Sequence, residues 1–276
     1  MANEVTTTAY DDTLFASWIT SEILDENRPY NVMRQFFRYE GKQHSNAYDF
    51  PIQADPGAAA AYTEGTGLTN TALTTTKATA TAGTFGMMAT VTDELDETSL
   101  ISVGSQVAGV LGRSVMEKFE TDATALLDDF ANTTGTAGVP TTYATILEAV
   151  NQLEQRDQQG SPVIVLDPAQ VGDLRQDIGT SGAAIFGSGV GSGTQNASLA
   201  GYAGFEIGGV PVFQTSLVTS TGGAVFLTGV ALGLYEIRPL RIETERDASL
   251  PGTEVVATTR YGMVEIRDVA GETILI

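Results

Sequence analysis

Residues 74–99 read TTTKATATAGTFGMMATVTDELDETS, and this stretch decides how the chain is organised. Its first part alternates between alanines at 78, 80 and 82 and polar residues at 77, 79 and 81. A period of two with many threonines predicts a β-strand. Its last part, residues 92–99, is polar and acidic and precedes a long apolar pattern with helical spacing. The stretch therefore predicts a strand that leads into a helix.

The segment that contains this strand, residues 48–92, is poor in large apolar side chains. From residue 58 to residue 84 the only ones are Tyr62, Leu68 and Leu73. A two-stranded ribbon with so little to bury is marginal in water. We interpret the segment as either a floppy loop or an arm that is ordered by lying on another subunit, and the residue chemistry slightly favours the arm.

The helix that follows is predicted to be long. Apolar residues keep spacings of three and four at positions 100, 103, 107, 111, 115, 119, 123, 126 and 130. At about 1.5 Å per residue this helix would be on the order of 45 Å long, with Thr98 or Ser99 as its N-cap. The carboxylates at 93, 94, 96 and 97 lack the spacing of a calcium-binding loop. We interpret them as a solvated cluster at the helix N-terminus, where the helix dipole favours negative charge.

The N-terminal region carries two apolar clusters. Residues 14–24 show helical spacing, and Arg28-Pro29 ends that pattern. A second cluster contains Val32, Met33, Phe36 and Phe37. So many large apolar residues need a surface, which is either the core of the protein itself or a neighbouring subunit.

The rest of the chain predicts a compact α/β unit followed by a β-rich tail. A helix is expected over 143–153, a buried strand over 162–166, and a second helix capped by Asp167-Pro168. A glycine- and serine-rich loop over 179–193 precedes strands within 205–213 and 224–227. Residues 234–276 alternate as strands around a polar turn over 246–252.

Composition and charge exclude several classes of function. The 276 residues correspond to one or two domains of about 150 residues each. The formal net charge is −20, from 14 basic and 34 acidic residues, and this argues against a basic patch for nucleic acid or for anionic lipid. No cysteine is present, so thiolate chemistry and thiolate metal sites are excluded. The single histidine, His44, lies in a polar stretch and is interpreted as a surface residue.

Targeting and catalytic motifs are also missing. The N-terminus lacks the pattern of a signal peptide, and the apolar run over 224–235 falls short of the about 20 residues that a membrane span needs. Neither Gly-x-Ser-x-Gly nor His-Glu-x-x-His occurs, and the glycine-rich segment over 187–193 lacks dinucleotide spacing. We therefore expect a soluble protein without catalytic residues, metal or cofactor. A carboxylate-dependent acidic hydrolase stays open as an alternative, because the distance between carboxylates cannot be seen in a sequence.

The order of these parts resembles the major capsid proteins of tailed bacteriophages, which have the Hong Kong 97-type fold. Tyr62-Thr-Glu-Gly65, the threonine-rich strand and Val91-Thr-Asp-Glu-Leu95 resemble the passage from the extended loop to the spine helix. SPVIVLDPA over 161–169 resembles the axial-domain strand and helix, and GFEIGGVPVF over 204–213 resembles the later return strand. The resemblance covers nearly the whole chain.

The resemblance implies an α+β protein with the parts of that fold. The N-terminal arm would occupy residues 1–46, the extended β-hairpin loop 47–92 and the spine helix of the peripheral domain 93–138. The α/β axial domain would follow over 139–233, and the peripheral β-sheet over 234–276.

The implied function is structural. Copies would form pentamers and hexamers of an icosahedral shell around the double-stranded DNA of a tailed phage, in the virion, after assembly in the host cytoplasm. Contacts within a capsomer are expected from the extended loop (Tyr62, Glu64, Leu68, Lys77 and Phe85) and from the N-terminal arm (Phe15 and Trp18). Contacts between capsomers are expected from the peripheral hairpin (Arg246, Asp247, Leu250 and Pro251).

Two departures from the family shape the expected partners. Some members join subunits by an isopeptide bond between an extended-loop lysine and a peripheral-domain asparagine. Here Lys77 is the only lysine of residues 48–92, and residues 234–276 contain no asparagine, so we expect a shell without cross-links, with or without a cement protein. No long prodomain precedes the arm, so a separate scaffolding protein is expected, together with a portal, non-specific contact with packaged DNA and no membrane. An encapsulin-like nanocompartment, which shares the fold, is the nearest alternative.

Overall fold

A computed structural model describes residues 4–5, 32–42, 45–59, 61, 64–65, 67, 70–99, 103–180, 202–218, 223–247, 249 and 251–276. The predicted helix over 14–24, His44 and most of the loop over 179–193 lie outside these residues, as do the predicted contact residues Phe15, Trp18, Tyr62, Leu68 and Leu250. The described strands are β1 Glu4–Val5, β2 Arg38–Glu40, β3 Ala47–Gln53, β4 Thr75–Thr81, β5 Gly83–Thr92, β6 Thr133–Gly135, β7 Pro162–Leu166, β8 Tyr202–Ile207, β9 Val210–Gln214, β10 Gly223–Leu227, β11 Leu232–Asp247, β12 Gly252–Glu265 and β13 Gly271–Leu275. The α-helices are α1 Asp93–Thr98, α2 Val103–Ala125, α3 Tyr143–Gln155 and α4 Pro168–Thr180, with short 3-10 turns at Met33–Phe36, Leu126–Asp128 and Asp268–Ala270.

A five-stranded sheet with the order β1-β5-β12-β11-β2 supports the long helix α2. Apolar residues of α1, α2, β5 and β12 form one cluster, which contains Ala89, Val91, Leu95, Val103, Val107, Leu111, Val115, Val255 and Ala257. Alternation along the strands places one apolar row under the helix, which is why the helix lies along the sheet. This arrangement is the predicted spine helix on a peripheral sheet.

The spine helix is shorter than predicted. Helix α2 has 23 residues, which at about 1.5 Å per residue gives about 35 Å. The acidic residues before it form a separate helix, α1, with Asp93, Glu94 and Asp96 in its first turn. Ser99 is extended and donates its N–H to the carbonyl of Leu95, so it ends α1.

A six-stranded mixed sheet with the order β6-β13-β10-β7-β9-β8 forms the second layer with α3 and α4. Thr142 caps α3 by accepting the N–H of Thr145, and Asp167 accepts the N–H of Ala169 at the start of α4. The predicted strand over 162–166 and both predicted helices are confirmed. The last strand, β13, also lies in this sheet, so the tail does not belong wholly to the peripheral sheet. Its residues 271–274 are buried, and a Cβ on Gly271 would collide with the ring of Phe130.

Two further segments settle points that the sequence left open. Val32, Met33, Phe36 and Phe37 are buried in the main core of the same chain, so this cluster docks on its own protein. The sequence predicts residues 83–92 as part of the ribbon, but they form β5 and pair with residues Gly252 to Tyr261 of β12. Among the described strands, only β3 and β4 pair as a separate two-stranded sheet.

Candidate assembly surfaces

The extended hairpin, defined here as β3, β4 and the residues between them, carries little core of its own. Phe50, Ala80 and Ala82 anchor its base against Tyr235 and Ile266 of the peripheral domain. Beyond this base, every described residue from 53 to 77 is exposed. The hairpin is therefore a polar arm with a buried root.

Polar contacts between its two strands hold the hairpin in register. Asp49 accepts a hydrogen bond from the ammonium group of Lys77 at 2.6 Å and from the hydroxyl of Thr79 at 2.5 Å. These two bonds, first that from Lys77, hold the pKa of the Asp49 carboxyl below its usual range. Lys77 thus has a partner within the chain, whereas Glu64 lies exposed in a turn.

Phe85 does not belong to the extended hairpin, and this corrects the sequence-based assignment. Its ring stacks on that of Tyr261 at a centroid distance of 4.7 Å, and the ammonium nitrogen of Lys118 lies 5.5 Å from its centroid. The side chain is half-buried and packs against the main core. Phe85 therefore contributes to the packing of its own protomer.

The peripheral hairpin, formed by β11 and β12, is tied to helix α1 at its tip. The guanidinium of Arg246 donates to both carboxylate oxygens of Asp93 at 2.7 and 2.6 Å, and the backbone N–H of Asp93 donates to the carbonyl of Pro251. The bond from Arg246 lowers the pKa of Asp93. Asp247 accepts from the backbone and hydroxyl of Ser249, so it shapes the turn. Pro251 remains exposed.

The described part of the chain contains no group of three or more His, Asp or Glu side chains placed to hold a metal ion. An open groove of about 800 Å³ runs along α3, lined by Ala144, Leu147, Glu148, Asn151, Gln152, Gln155 and Arg156. Across the described residues, no helix is both long and apolar enough to cross a bilayer.

The sequence profile described as the phage capsid family matches residues 13–269. The chain belongs to the phage capsid family. No curated protein matches it. Among solved structures, the capsid of the cyanophage P-SCSP1u matches with a TM-score of 0.74 and 16% identity, over 96% of this chain and 93% of that one. The structure of Microbacterium phage Oxtober96 matches with 0.70 and 12% over 98% and 99%, and the capsid of a native GTA particle with 0.68 and 14% over 93% of each chain.

This capsid protein is a structural component of the virion, and its copies assemble into an icosahedral shell. The predicted Hong Kong 97-type α+β fold is confirmed. These findings favour neither an encapsulin-like compartment nor an acidic hydrolase.

One anchoring residue of the capsid protein escaped the sequence analysis. Glu120 of the spine helix is fully buried and accepts the backbone N–H groups of Val32 and Met33 at 3.1 and 3.0 Å. Burial raises the pKa of this carboxyl to about 7, against the lowering effect of the two bonds. Its position three residues before Ala123 and seven before Leu127 places it on the apolar stripe, and this was the signal that could have found it.

Proposed function

We propose that copies of this capsid protein form pentamers and hexamers in which each extended hairpin lies over a neighbouring copy. The observation that carries this proposal is the exposure of every described hairpin residue from 53 to 77 on an arm whose root alone is buried. An arm of this kind gains little from its own chain, because a two-stranded ribbon without an apolar face is marginal in water. The surface of a neighbouring copy supplies the stabilising contacts that the hairpin lacks within its own chain.

The proposed contacts follow the sequence-based expectations, with Phe85 withdrawn. Within a capsomer they involve Glu64 and Lys77 of the hairpin, together with Tyr62, Leu68, Phe15 and Trp18. Between capsomers they involve the tip of the peripheral hairpin, at Arg246, Asp247, Leu250 and Pro251. The ion pair between Arg246 and Asp93 supports this second contact, because it fixes the tip in one orientation.

The proposal extends to the contents and partners of the shell. The shell encloses the double-stranded DNA of a tailed phage with only non-specific contacts, in keeping with a net charge of −20. The protein acts without catalysis or cofactor and without isopeptide cross-links. Assembly takes place in the host cytoplasm with a separate scaffolding protein and a portal, and a cement protein is an optional addition.

Excision of the hairpin tests the proposal. Ala54 donates its N–H to the carbonyl of Thr74 at 3.0 Å, so residues 55–73 can be replaced by an Asn-Gly turn without disturbing the root. We expect shells or ring-shaped capsomers from the unaltered protein and folded monomers from the excised variant, by light scattering and negative-stain microscopy. Asn151→Ala, an exposed change on α3, is the matched control and should assemble normally. Shells from the excised variant would refute the proposal, and nuclease-protected DNA in native particles checks the contents.

A further inference from the structure

The two edges of the peripheral sheet differ in charge. Beyond its pairing with β2 at residues 233–235, β11 forms one edge, and its exposed charged residues there are Arg241, Glu243, Glu245 and Arg246. Charges of this kind discourage pairing with a further strand. At the other edge, β1 pairs with β5 only at Thr90 and Val91, and no other described strand covers the outer side of β5 over residues 83–89. Strand β5 carries no charged residue along its whole length.

The uncharged edge exposes apolar side chains on both faces of the sheet. Met87 shares the helix side with Ala89, which packs in the cluster under α2, and Met87 is 49% exposed. Met88 points to the other face and is 38% exposed. An exposed, uncharged edge strand with apolar side chains is a site where another chain can add a strand.

The spine helix extends this apolar surface. A Cβ on Gly112 would contact the side chain of Ile242, so this side of α2 faces β11. Val110 lies two residues earlier, which is about 200° around a helix with 3.6 residues per turn, so it lies on the flank towards β5. Its side chain is 47% exposed. Met87 and Val110 together form what we call the β5 strip.

The extended hairpin carries a segment that matches this edge. Residues 65–76 are uncharged. Within them, residues 70–73 are exposed, lie outside any strand and form no backbone hydrogen bond with other described residues. Leu73 is 62% exposed, and it is the one large apolar side chain among the described hairpin residues that is more than half exposed. The segment thus has an unpaired backbone and an apolar side chain without a partner in the described part of its own chain.

We propose that residues 70–73 of one copy add a strand to the free edge of β5 in a second copy, with Leu73 packed on the β5 strip. This inference rests on the proposed role of the hairpin and names the surface that receives it. Strand addition satisfies the backbone groups of both segments, while packing of Leu73 removes apolar surface from water. The absence of charge on both segments supports the pairing, because in a chain of net charge −20 a carboxylate brought to this edge would lose its hydration.

The length of the hairpin agrees with this contact. The chain runs beside β12 in both β4 and β5, since β5 pairs with β12 and a Cβ on Gly262 of β12 would collide with the carbonyl oxygen of Thr81 in β4. An extended chain from Leu73 to Met87 therefore spans at most about 46 Å, at about 3.3 Å per residue. A compact chain of 276 residues has a radius of gyration of about 19 Å and hence a width of about 50 Å. Equivalent points on adjacent copies are one width apart, so Leu73 of one copy has the reach to meet Met87 of the next.

The contact is also of the kind that forms rings. Each copy gives one hairpin and offers one β5 edge, so the interface joins two different surfaces. Interfaces of this head-to-tail type close into rings when the rotation between copies permits. The contact therefore agrees with the proposed pentamers and hexamers.

Cross-linking between copies tests the inference, because the chain has no cysteine of its own. The variant that combines Leu73→Cys with Met87→Cys is assembled, oxidised with diamide and run on a non-reducing gel. We expect a ladder of covalent species that ends at five and six copies. The two single variants, mixed before assembly, should give dimers only. The matched control combines Leu73→Cys with Ile242→Cys, which is 43% exposed at the β11 edge, and it should give no ladder.

A charge placed on the β5 strip gives a second, independent measurement. Met87→Asp should raise the protein concentration needed for half-assembly by at least about ten-fold, because the contact would bury a carboxylate without a partner. Val139→Asp introduces the same charge at a position that is 51% exposed in another part of the chain, and it should assemble normally. Circular dichroism checks that both variants are folded, as expected for changes at exposed positions.

The outcomes separate this inference from the proposed role of the hairpin. Shells without a ladder in the Leu73 and Met87 pair overturn the inference, as does a ladder in the Ile242 control alone. In the latter case the hairpin still lies on a neighbour, but at the β11 edge. If the paired cysteine variant does not assemble, Met87→Asp decides, and its normal assembly overturns the inference. Shells from the hairpin-excised protein would instead overturn the proposed role of the hairpin itself.

Discussion

The six-stranded sheet and the extended hairpin are both β-structure, yet they bury their side chains in opposite ways. All five residues of β10 and residues 163–166 of β7 are buried, so both faces of these central strands are covered. In β4, by contrast, only Ala80 is buried. This difference indicates where each region obtains its stability, because burial of apolar surface is the dominant favourable contribution to the free energy of folding. The sheet is stabilised within the protomer, whereas the hairpin has surface to offer to other copies.

The sharpest test of this contrast removes one large apolar side chain from each region. Phe226 of β10 lies between Phe36 and Phe130, with ring centroids 5.8 and 6.4 Å away. Phe226→Ala should lower the free energy of unfolding by about 3–5 kcal/mol, because it leaves a cavity in a closed core. Leu73→Ala, at a hairpin position that is 62% exposed, should change it by less than about 0.5 kcal/mol. Denaturant unfolding of unassembled protein measures both, and similar losses at the two sites would contradict the contrast.

The next prediction concerns pH and the anchor of the N-terminal segment. The pKa of Glu120 is about 7 in the folded protein, above its ordinary value, so the folded state binds the proton more tightly than the unfolded state does. The stability that this carboxyl contributes is fully present at pH values below its ordinary pKa of about 4.5. This contribution is lost as the pH rises to about 7, and the loss is at most about 3 kcal/mol. Burial also raises the pKa of Glu265 to about 7, so this carboxyl titrates in the same pH range.

Glu120→Gln isolates the contribution of this carboxyl. The amide oxygen still accepts the N–H groups of Val32 and Met33, but it does not titrate. We expect the difference in melting temperature between variant and parent to grow in favour of the variant from pH 5 to pH 8. Glu120→Ala, which leaves both donors unpaired, should be destabilising at every pH. A Gln variant that follows the parent's pH profile would contradict the assignment.

Contacts between regions were harder to predict than the regions themselves. Long periodic segments such as α2, α3 and β7 were predicted because their burial follows a local repeat. The apolar positions shift from even numbers over 78–82 to odd numbers over 85–91, but such a shift does not identify a partner strand, so the sequence did not indicate that residues 83–92 pair with β12. The sequence of β13 resembles that of the other strands in the tail. Its buried contacts with Phe130 and with the carbonyl of Leu127 place it in the six-stranded sheet.

A smaller effect is expected at the joint between the two regions. Gly262 of β12 approaches the backbone of Thr81 so closely that any Cβ would collide with its carbonyl oxygen. Gly262→Ala should therefore push the hairpin root away from the sheet and cost about 1–3 kcal/mol, the range for overpacking. Hydrogen exchange should increase in β3 and β4 and stay unchanged in β7 and β10. Gly172→Ala, at an exposed helical position with open space around it, is the control, and equal exchange in all four strands would refute the predicted local effect.

The smallest effect is expected along the hairpin itself. Lys77→Gln removes the first of the two bonds that lower the pKa of Asp49, so that pKa should rise towards its ordinary value, while Thr79 still holds it below. The melting temperature of the monomer should not change measurably, because both side chains are exposed and such ion pairs contribute little. An NMR titration of the Asp49 carboxyl measures the first effect, with Thr79→Val as the matched change on the same acceptor. Because the monomer's stability is insensitive at this position, any loss of assembly by Lys77→Gln would report a contact with a neighbouring copy, whereas unchanged assembly would remove Lys77 from the proposed interface.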